Sequence, residues 1–291
     1  MNAHAIRAYG TLAKPRITMM VCITTVLGFV LGFGEAWSLE TALLLTLTLA
    51  GTAAASGGAS ALNQFVERDA DARMVRTRNR PLPHGDLRPE YAVLFGCVLL
   101  FGGSIVLYTL VNPLTGYLAL TSGALYVLVY TPLKRHSWLN TYVGAIPGAI
   151  PPMIGWAAAT GTLGLGAWLL FLILFLWQHP HFFAIAWMFR EDYERGGFKM
   201  LPNVYPDGAA TFRQSLIFAA VLLPVSLIPT LIAMSGWLYY AGALLLGVWF
   251  LWVCVRWWAT GTDYDARRVL RASVLYLPAL LGLILVDAAV L

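Results

Sequence analysis

The sequence predicts an all-α fold, a polytopic bundle of nine membrane-spanning helices that forms one membrane-embedded domain over residues 1–291. Two features of the composition support this fold class. Of the 291 residues, 59% are apolar and only 11% are charged, whereas a soluble domain carries roughly 25% charged residues. The apolar residues also fall into repeated long runs, and a run of about 20 residues is long enough to cross a bilayer as a helix.

The apolar runs place the predicted spans at about residues 16–34, 41–62, 91–111, 115–131, 139–159, 165–188, 214–234, 238–258 and 270–290. Two of the connections, around Pro113 and at residues 235–237, are so short that they predict tight helical hairpins. The first run follows basic residues, as the apolar part of a secretory signal peptide does. It has no small-residue cleavage site before Glu35, and we therefore expect it to be the first span.

The basic residues predict the orientation of the bundle. If the N-terminus lies inside, all 19 lysines and arginines fall on the inner side of the membrane, in or near the loops after even-numbered spans and before the first span. The outer side then holds the acidic residues Glu35, Glu40 and Asp287. This distribution obeys the positive-inside rule, so we expect the N-terminus inside and the C-terminus outside. The net charge of +5 therefore reflects topology, and we expect no nucleic-acid partner.

The stretch NQFVERDADARMVRTRNR, residues 63–80, concentrates charge at the inner end of the second span. Its Asn63, Glu67 and Asp71 are spaced four residues apart, so on a helix they lie on one face in successive turns. Two acids and an amide near lipid are unfavourable unless a cation binds between them, and hard oxygen ligands suit Mg²⁺. The alternative is an ordinary basic inner loop with incidental salt bridges.

Four arginines follow the acids in the same stretch, namely Arg73, Arg76, Arg78 and Arg80. A guanidinium group forms paired hydrogen bonds with phosphate oxygens. In proteins, Mg²⁺ usually takes one or two carboxylates together with the phosphates of a substrate. Acids that hold Mg²⁺ beside arginines that hold phosphate therefore predict a diphosphate-binding site.

Two further inner loops carry charged residues that face the same side of the membrane. The loop after the sixth span contains Arg190, Glu191, Asp192, Glu194, Arg195 and Lys199. The second and sixth spans run in the same direction, so their acidic ends can face each other across a cavity. In the loop after the fourth span, Tyr130 and Lys134 are one helical turn apart and Arg135 follows them. The alternative for that pair is an interfacial tyrosine and a lysine that sets topology.

These motifs resemble those of a known family. The spacing Asn63-xxx-Glu67-xxx-Asp71 resembles the first aspartate-rich motif, NxxxDxxxD, of the UbiA-like intramembrane prenyltransferases, and Tyr130-xxx-Lys134 resembles their YxxxK element. Further stretches are similar to the heme-farnesylating branch of that family: MVRTRNRPLP at 74–83, AIPGAIPPMIGW at 145–156, WQHPHF at 177–182 and DYERGGFKMLP at 192–202. Together these motifs cover nearly the whole chain.

The resemblance implies nine helices around a central cavity, with the active site on the cytoplasmic side of the bacterial inner membrane. It implies that farnesyl diphosphate and heme b are the substrates, that Mg²⁺ is the cofactor, and that heme O and diphosphate are the products. The lipid bilayer would accommodate the farnesyl tail, and a downstream heme-modifying membrane enzyme is an expected partner.

The resemblance also implies roles for individual residues. The expected metal ligands are Asn63, Glu67, Asp71 and Asp192, which with Tyr130 and Lys134 form the expected catalytic set. The expected diphosphate contacts are Arg76, Arg80, Lys134, Arg135 and Arg190. Tyr130 belongs to the catalytic set because an aromatic face stabilises an allylic cation as it does other cations. The expected heme-binding residues are Gln178 and His181, the latter as an iron ligand, a proton acceptor, or a hydrogen-bonded residue of the bundle.

The sequence departs from the family pattern in the second acidic motif, where Met188 stands at the position of the first acid. One Mg²⁺, or a second ion held mainly by diphosphate and water, is compatible with this change. Glu67 also replaces the usual aspartate, and its carboxylate still suits a metal. Two other functions fit the sequence. One is prenyl transfer to a small aromatic acid such as 4-hydroxybenzoate, and the other is anion transport through a site at mid-depth.

Overall fold

The computed structural model describes residues 3–34 and 36–290, with side chains from residue 5 to residue 287 apart from Glu35. None of these residues lies in a β-strand, and the prediction of an all-α fold is confirmed. The helices are α1 (Ala3–Leu12), α2 (Pro15–Gly32), α3 (Leu39–Asp71), α4 (Pro81–His84), α5 (Pro89–Leu110), α6 (Pro113–Ala124), α7 (Thr131–His136), α8 (Asn140–Ala149), α9 (Pro151–Thr160), α10 (Leu165–Met188), α11 (Arg190–Gly196), α12 (Leu201–Val204), α13 (Ala209–Leu231), α14 (Trp237–Thr260) and α15 (Asp263–Val290). A π-helical segment, Leu125–Tyr130, joins α6 to α7.

Eight helices among the described residues are long and apolar enough to cross a membrane, counting α6, the π-helical segment and α7 as one. The fifth predicted span, 139–159, is instead divided into α8 and α9 at Ile150. Pro151 and Pro152 explain the division, because a proline has no N–H to donate to the preceding turn. The two helices together are about 30 Å long at 1.5 Å per residue. The count of nine spans and the orientation stay predictions, and the outer acid Glu35 lies outside the described residues.

The second predicted span is shorter than the helix that contains it. The apolar run ends near residue 62, but α3 continues to Asp71 and is 33 residues long. Asn63 and Glu67 therefore lie with Asp71 on one continuous helix, as their spacing predicts. The polar part of α3 is stable as a helix because neighbouring elements bury its polar face, as described below.

One end of the bundle, here called the charged end, carries α1, α4, α7, α11, α12 and the turn between α14 and α15. Helix α3 packs along α5, α2 packs along α9, and α10 packs against α8, α13 and α15. The largest apolar cluster fills the space between α10, α13, α14 and α15, where Phe183, Trp257 and Tyr276 are fully buried. This packing fixes α10 near the centre of the bundle, with its last turns against the end of α3.

At the opposite end, the buried carboxylate of Asp287 accepts hydrogen bonds from the backbone N–H groups of Gly236 and Tyr239. These groups belong to the first turn of α14, where backbone N–H groups lack partners within the helix and favour a negative charge. Asp287, one of the predicted outer acids, therefore serves to cap α14.

The contact between α3 and α5 depends on residues without side chains. A Cβ added at Gly103 of α5 would lie 2.5 Å from the carbonyl oxygen of Gly51 and 2.7 Å from the amide nitrogen of Ala55, both on α3. A Cβ added at Gly58 would lie 2.4 Å from the amide nitrogen of Leu100 on α5. The two backbones are thus in direct contact, as small residues allow between helices in membranes.

We expect Gly103→Ala to destabilise the protein and Gly102→Ala to leave its stability nearly unchanged. A methyl group at position 103 collides with the backbone of α3, and overpacking typically costs about 1–3 kcal/mol. A Cβ added at Gly102, the preceding residue of α5, would meet no atom of the described residues within 4 Å outside the backbone of its own helix. Thermal unfolding of both purified variants in one detergent measures the difference. Equal melting temperatures would contradict the close contact.

Candidate active site

Three oxygen-bearing side chains of α3 are buried at the charged end of the bundle. The exposed fractions of Asn63, Glu67 and Asp71 are 1%, 4% and 0%. A carboxylate that loses its hydrating water needs a charged or hydrogen-bonding partner to remain ionised. The surrounding structure supplies such a partner for each of the three side chains.

Each of the three side chains is paired with a different cation. The pairs are Lys134 Nζ with Glu67 Oε1 at 2.6 Å, Arg80 Nη1 with Asp71 Oδ2 at 2.7 Å, and Lys14 Nζ with Asn63 Oδ1 at 2.8 Å. We call these six residues the charge row. Its cations come from α7, from the loop after α3, and from the turn between α1 and α2. The charge row therefore joins three separate parts of the chain to α3.

Lys14 was not among the predicted site residues. It lies in the turn between α1 and α2 with φ 47° and ψ 64°, the left-handed region that side chains other than glycine rarely adopt. Gln64 of α3 holds this turn, because its Nε2 donates to the backbone oxygen of Leu12 at 2.8 Å. Burial, and then the nearby charge of Arg80, lowers the pKa of Lys14 to about 7. The sequence offered one indication of a role for Lys14, which is its position directly before Pro15 at the start of an apolar run.

The YxxxK element forms the second wall of the site. The π-helical segment and α7 continue through Pro132 without a break, so Tyr130 and Lys134 lie on one face as predicted. Lys134 Nζ lies 4.4 Å from the centre of the Tyr130 ring and 5.7 Å from that of Phe198. The face of Tyr130 is therefore turned toward a cation in the charge row.

A hydrogen bond between α3 and α7 fixes the amide group of Asn63. Asn63 Nδ2 donates to Thr131 Oγ1 at 3.0 Å, and Thr131 Oγ1 donates in turn to the backbone oxygen of Tyr126 at 2.7 Å. A hydroxyl group that donates its only hydrogen can bind Nδ2 only as an acceptor. The oxygen of Asn63 is therefore the atom that faces Lys14. Thr131 is a second site residue that the sequence did not predict.

Asp192 links the loop after α3 to α11. Its Oδ1 accepts a hydrogen bond from the backbone N–H of Val75 at 3.0 Å and its Oδ2 accepts one from that of Arg76 at 3.1 Å. Arg195 Nη1 lies 3.0 Å from Oδ1. In return, Arg73 Nη2 donates to the backbone oxygen of Gly196 at 2.9 Å. The loop after α3 and helix α11 are thus joined by hydrogen bonds in both directions, and the metal role of Asp192 stays a prediction.

The predicted diphosphate contacts fall into two groups. Arg80 and Lys134 belong to the charge row. Arg76 is exposed, and its guanidinium lies 4.8 Å from the ring centre of Phe189 and 5.5 Å from that of Tyr193.

The structure places the other two predicted contacts outside the charge row. Arg135 is exposed and donates to the backbone oxygen of Val66 at 3.4 Å. Arg190 donates to the backbone oxygen of Trp187 at 2.7 Å and lies 3.2 Å from Asp263 at the start of α15. Arg190 therefore fastens the end of α10 to the turn before α15, and its phosphate role stays a prediction.

The amide group of Gln178, a predicted heme-binding residue, connects α10 with α8. Its Nε2 donates to the backbone oxygen of Ala145 at 3.2 Å and to that of Leu174 at 3.0 Å. The absence of a side chain at Gly148 is required here, because an added Cβ would lie 2.1 Å from Gln178 Oε1. Gln178 therefore holds α10 against α8, the helix that ends at the proline-rich break.

His181, the other predicted heme-binding residue, is half-buried between α10 and α15. Its Nδ1 lies 2.8 Å from Ser273 Oγ, and its ring stacks on Trp177 with the ring centres 5.1 Å apart. Ser273 Oγ donates its own hydrogen to the backbone oxygen of Leu270. Nδ1 of His181 must therefore be the donor to Ser273, which leaves Nε2 with a free lone pair.

The donor set of α3 fits a hard divalent cation. Asp71 Oδ1 is buried and has no hydrogen-bond partner among the residues that the structure describes, so it is available to a ligand. An amide oxygen and two carboxylates are the ligand types that Mg²⁺ takes alongside phosphate oxygens. No group of three or more His, Cys, Asp and Glu side chains within the described ranges could hold a metal alone. The geometry therefore suits a metal that shares its coordination with a substrate phosphate.

Comparison with known proteins gives relatives over the full length. The chain is 49% identical to the protoheme IX farnesyltransferase of Solibacter usitatus (strain Ellin6076), over 97% of this chain and 99% of the relative. It is 47% identical to the protoheme IX farnesyltransferase of Salinibacter ruber (strain DSM 13855 / M31), over 96% and 98% of the two chains. These relatives confirm the resemblance that the motifs indicated.

Solved structures share the fold. A structure of digeranylgeranylglyceryl phosphate synthase matches with a TM-score of 0.83 at 16% identity, over 99% of both chains. A UbiA homologue from Archaeoglobus fulgidus bound to GPP and Mg²⁺ matches with a TM-score of 0.69 at 15% identity, over 95% of this chain and 99% of that one. The model of the UbiA prenyltransferase family matches residues 21–277. The chain therefore belongs to the UbiA prenyltransferase family and is a prenyl-transferring enzyme.

Proposed function

We propose that this enzyme transfers the farnesyl group of farnesyl diphosphate to a vinyl group of heme b. The bond between C1 of the farnesyl group and the diphosphate oxygen breaks, and C1 forms a bond to the terminal vinyl carbon. Water adds its hydroxyl group to the other vinyl carbon and releases a proton, so the products are heme O and diphosphate. The charge row carries this proposal, because it combines oxygen ligands for a metal with cations for a diphosphate.

The α3 side of the charge row supports binding of Mg²⁺. Asn63 and Asp71 are eight residues apart, which is about 12 Å along a helix, whereas two oxygens bound to one Mg²⁺ are at most about 4 Å apart. One ion would therefore be held directly by either Asn63 or Asp71, and Glu67 lies between them as a neighbour of both. Asp192 stays a proposed ligand, although two backbone N–H groups already occupy its oxygens. When bound, the metal neutralises charge on the diphosphate leaving group.

The remaining residues of the site assist the departure of diphosphate. Lys134 and Arg80 supply N–H donors beside the metal ligands, and the exposed guanidinium of Arg76 is the proposed third donor. Because the ligands are buried, water does not weaken these electrostatic contacts. The face of Tyr130 that is turned toward Lys134 at 4.4 Å is also suited to an allylic cation.

The names of the relatives support heme b as the acceptor. Within the bundle, His181 is suited to bind its iron, since a histidine that ligates a metal typically donates its other ring N–H to an oxygen partner. The hydrogen bond from Nδ1 to Ser273 Oγ meets that condition and leaves Nε2 free. We further propose that the charged end faces the bacterial cytoplasm, and that heme O passes to a heme-modifying membrane enzyme.

The two alternative functions predict different products. A transporter should place its charged groups at mid-depth, whereas the pairs of the charge row lie at one end of the bundle. A prenyltransferase for a small aromatic acid would use the same diphosphate site with another acceptor. The acceptor is therefore the part of the proposal that needs a direct test.

We expect the purified protein, given heme b, farnesyl diphosphate and Mg²⁺, to increase the mass of heme by one farnesyl group and one water. EDTA should abolish the product, because the metal assists the leaving group. Mass spectrometry of the extracted heme measures this increase in mass. Asp71→Ala should still bind heme, with turnover lost.

Three other outcomes would each change the conclusion. Unchanged heme with hydrolysed farnesyl diphosphate would mean that the acceptor is wrong, and small aromatic acids would be tried next. No change in either substrate would favour transport. Farnesylation by Asp71→Ala at the wild-type rate would contradict the metal assignment.

We expect Arg80→Gln to raise the KM for farnesyl diphosphate about 10- to 100-fold, because a hydrogen bond to a charged group contributes about 1.5–3 kcal/mol. Arg190→Gln should change this KM little, because Arg190 is engaged with Asp263. Steady-state kinetics at saturating heme compares the two variants, with melting temperatures as a check on folding. An equal rise of the KM for farnesyl diphosphate in both variants would place Arg190 in the diphosphate site, as the sequence predicted.

We expect His181→Ala to shift the Soret absorption band of bound heme b, because the iron loses its protein ligand. His179→Phe is the matched control. His179 lies two residues away but is fully buried and stacked on Phe218, with the ring centres 3.7 Å apart. A phenylalanine preserves this stacking and should leave the band in place. An unchanged spectrum in His181→Ala would rule out iron ligation by His181.

A further inference from the structure

The charge row contains one more cation than its acids require. Its two carboxylates are each paired with a cation of their own. The third cation, Lys14, is paired with the amide oxygen of Asn63, which carries no charge to balance. When Lys14 is protonated, its half-buried ammonium group opposite a neutral amide leaves net positive charge in the row. Such an excess favours the binding of an anion.

The backbone around Lys14 is built to hold the ammonium group in this place. Lys14 is one of two non-glycine residues within the described ranges that have a positive φ, and strained backbone of this kind persists where the surrounding structure enforces it. Gln64 bonds the backbone oxygen of Leu12. Gly57 of α3 lets the turn come close, since an added Cβ there would lie 3.3 Å from the Cβ of Ala13.

Lys14 occupies the oxygen that a metal bound at Asn63, the first of the α3 side chains, would need. The hydrogen bond from Asn63 Nδ2 to Thr131 fixes the amide, so Oδ1 is the atom presented to the site. An ammonium group and a divalent cation on the same oxygen repel each other strongly in a buried site. Binding of the metal at Asn63 therefore requires that Lys14 move away, and the nearest new anion is the diphosphate that the metal carries.

We propose that Lys14 is an exchangeable counter-ion, which occupies Asn63 Oδ1 in the ligand-free protein and moves to the diphosphate oxygens when a divalent cation takes that oxygen. The proposal rests on the metal–diphosphate site of the proposed function. It adds Lys14 to the groups that bind diphosphate. It also makes the binding of metal and diphosphate mutually dependent, because each removes an obstacle to the other.

The test uses Mn²⁺ as the metal probe, with binding measured by electron paramagnetic resonance on the purified full-length protein without heme. We expect Lys14→Met to bind Mn²⁺ alone about tenfold more tightly than the wild type, because a competing charged hydrogen bond is gone. At saturating Mn²⁺, the same variant should bind farnesyl thiolodiphosphate about tenfold more weakly, because a cation for the diphosphate is lost. Lys14→Arg should restore both values toward the wild type.

The control is Lys199→Met, which removes one positive charge from an exposed side chain at the same end of the bundle. It should change neither constant. If Lys14→Met weakens the binding of both Mn²⁺ and the thiolodiphosphate, or leaves the binding of Mn²⁺ alone unchanged, the proposed exchange of Lys14 is wrong. Failure of the wild type to bind Mn²⁺ and the thiolodiphosphate together would instead overturn the proposed function. Recovery of binding in Lys14→Arg shows that the changes in Lys14→Met come from the lost charge and not from misfolding.

Discussion

Two carboxylates buried in an apolar bundle are the constraint on which the rest of the site depends. A carboxylate removed from water costs several kcal/mol unless a partner compensates it. The partners of Glu67 and Asp71 are Lys134, 67 residues later in the chain, and Arg80, nine residues later. Pairing therefore draws α7 and the loop after α3 onto one face of α3. The ion pairs that hold the charged end together therefore also bring the residues of the site together.

The sequence predicted the parts of the site that local periodicity determines. The four-residue spacing of the α3 motif, and that of Tyr130 and Lys134, depends only on helical geometry. In both cases the structure places the residues on one helical face, as predicted. Pairing across long distances leaves no such pattern. Lys14 reaches a residue 49 positions away, so nothing in its neighbourhood indicated the contact. Arg190 lies among acids in the sequence, yet its partner Asp263 comes from a turn that the sequence did not connect with it.

The same limit applies to the fifth predicted span. Its composition indicated a helix long enough to cross the membrane, although the span contains Pro147, Pro151 and Pro152. Whether prolines bend a helix or divide it depends on what satisfies the carbonyl groups that lose their donors. Here Ser122 of α6 donates to the backbone oxygen of Pro147 at 3.1 Å. This support from a neighbouring helix makes the division at Ile150 stable, and it cannot be read from the span itself.

In the proposed function, the prenyl donor and the acceptor bind to different parts of the bundle. The charge row lies on α3, the loop after α3, α7 and the turn before α2, and in the proposed function it binds the prenyl diphosphate. Proteins with the same fold at 15–16% identity carry different names, so the fold does not determine the acceptor. The stretches that carried the heme-farnesylating resemblance, 145–156 and 177–182, instead pack against each other through Gln178 and Gly148. Acceptor specificity in this chain is therefore expected to depend on the α8–α10 pair, which can change without disturbing the buried ion pairs.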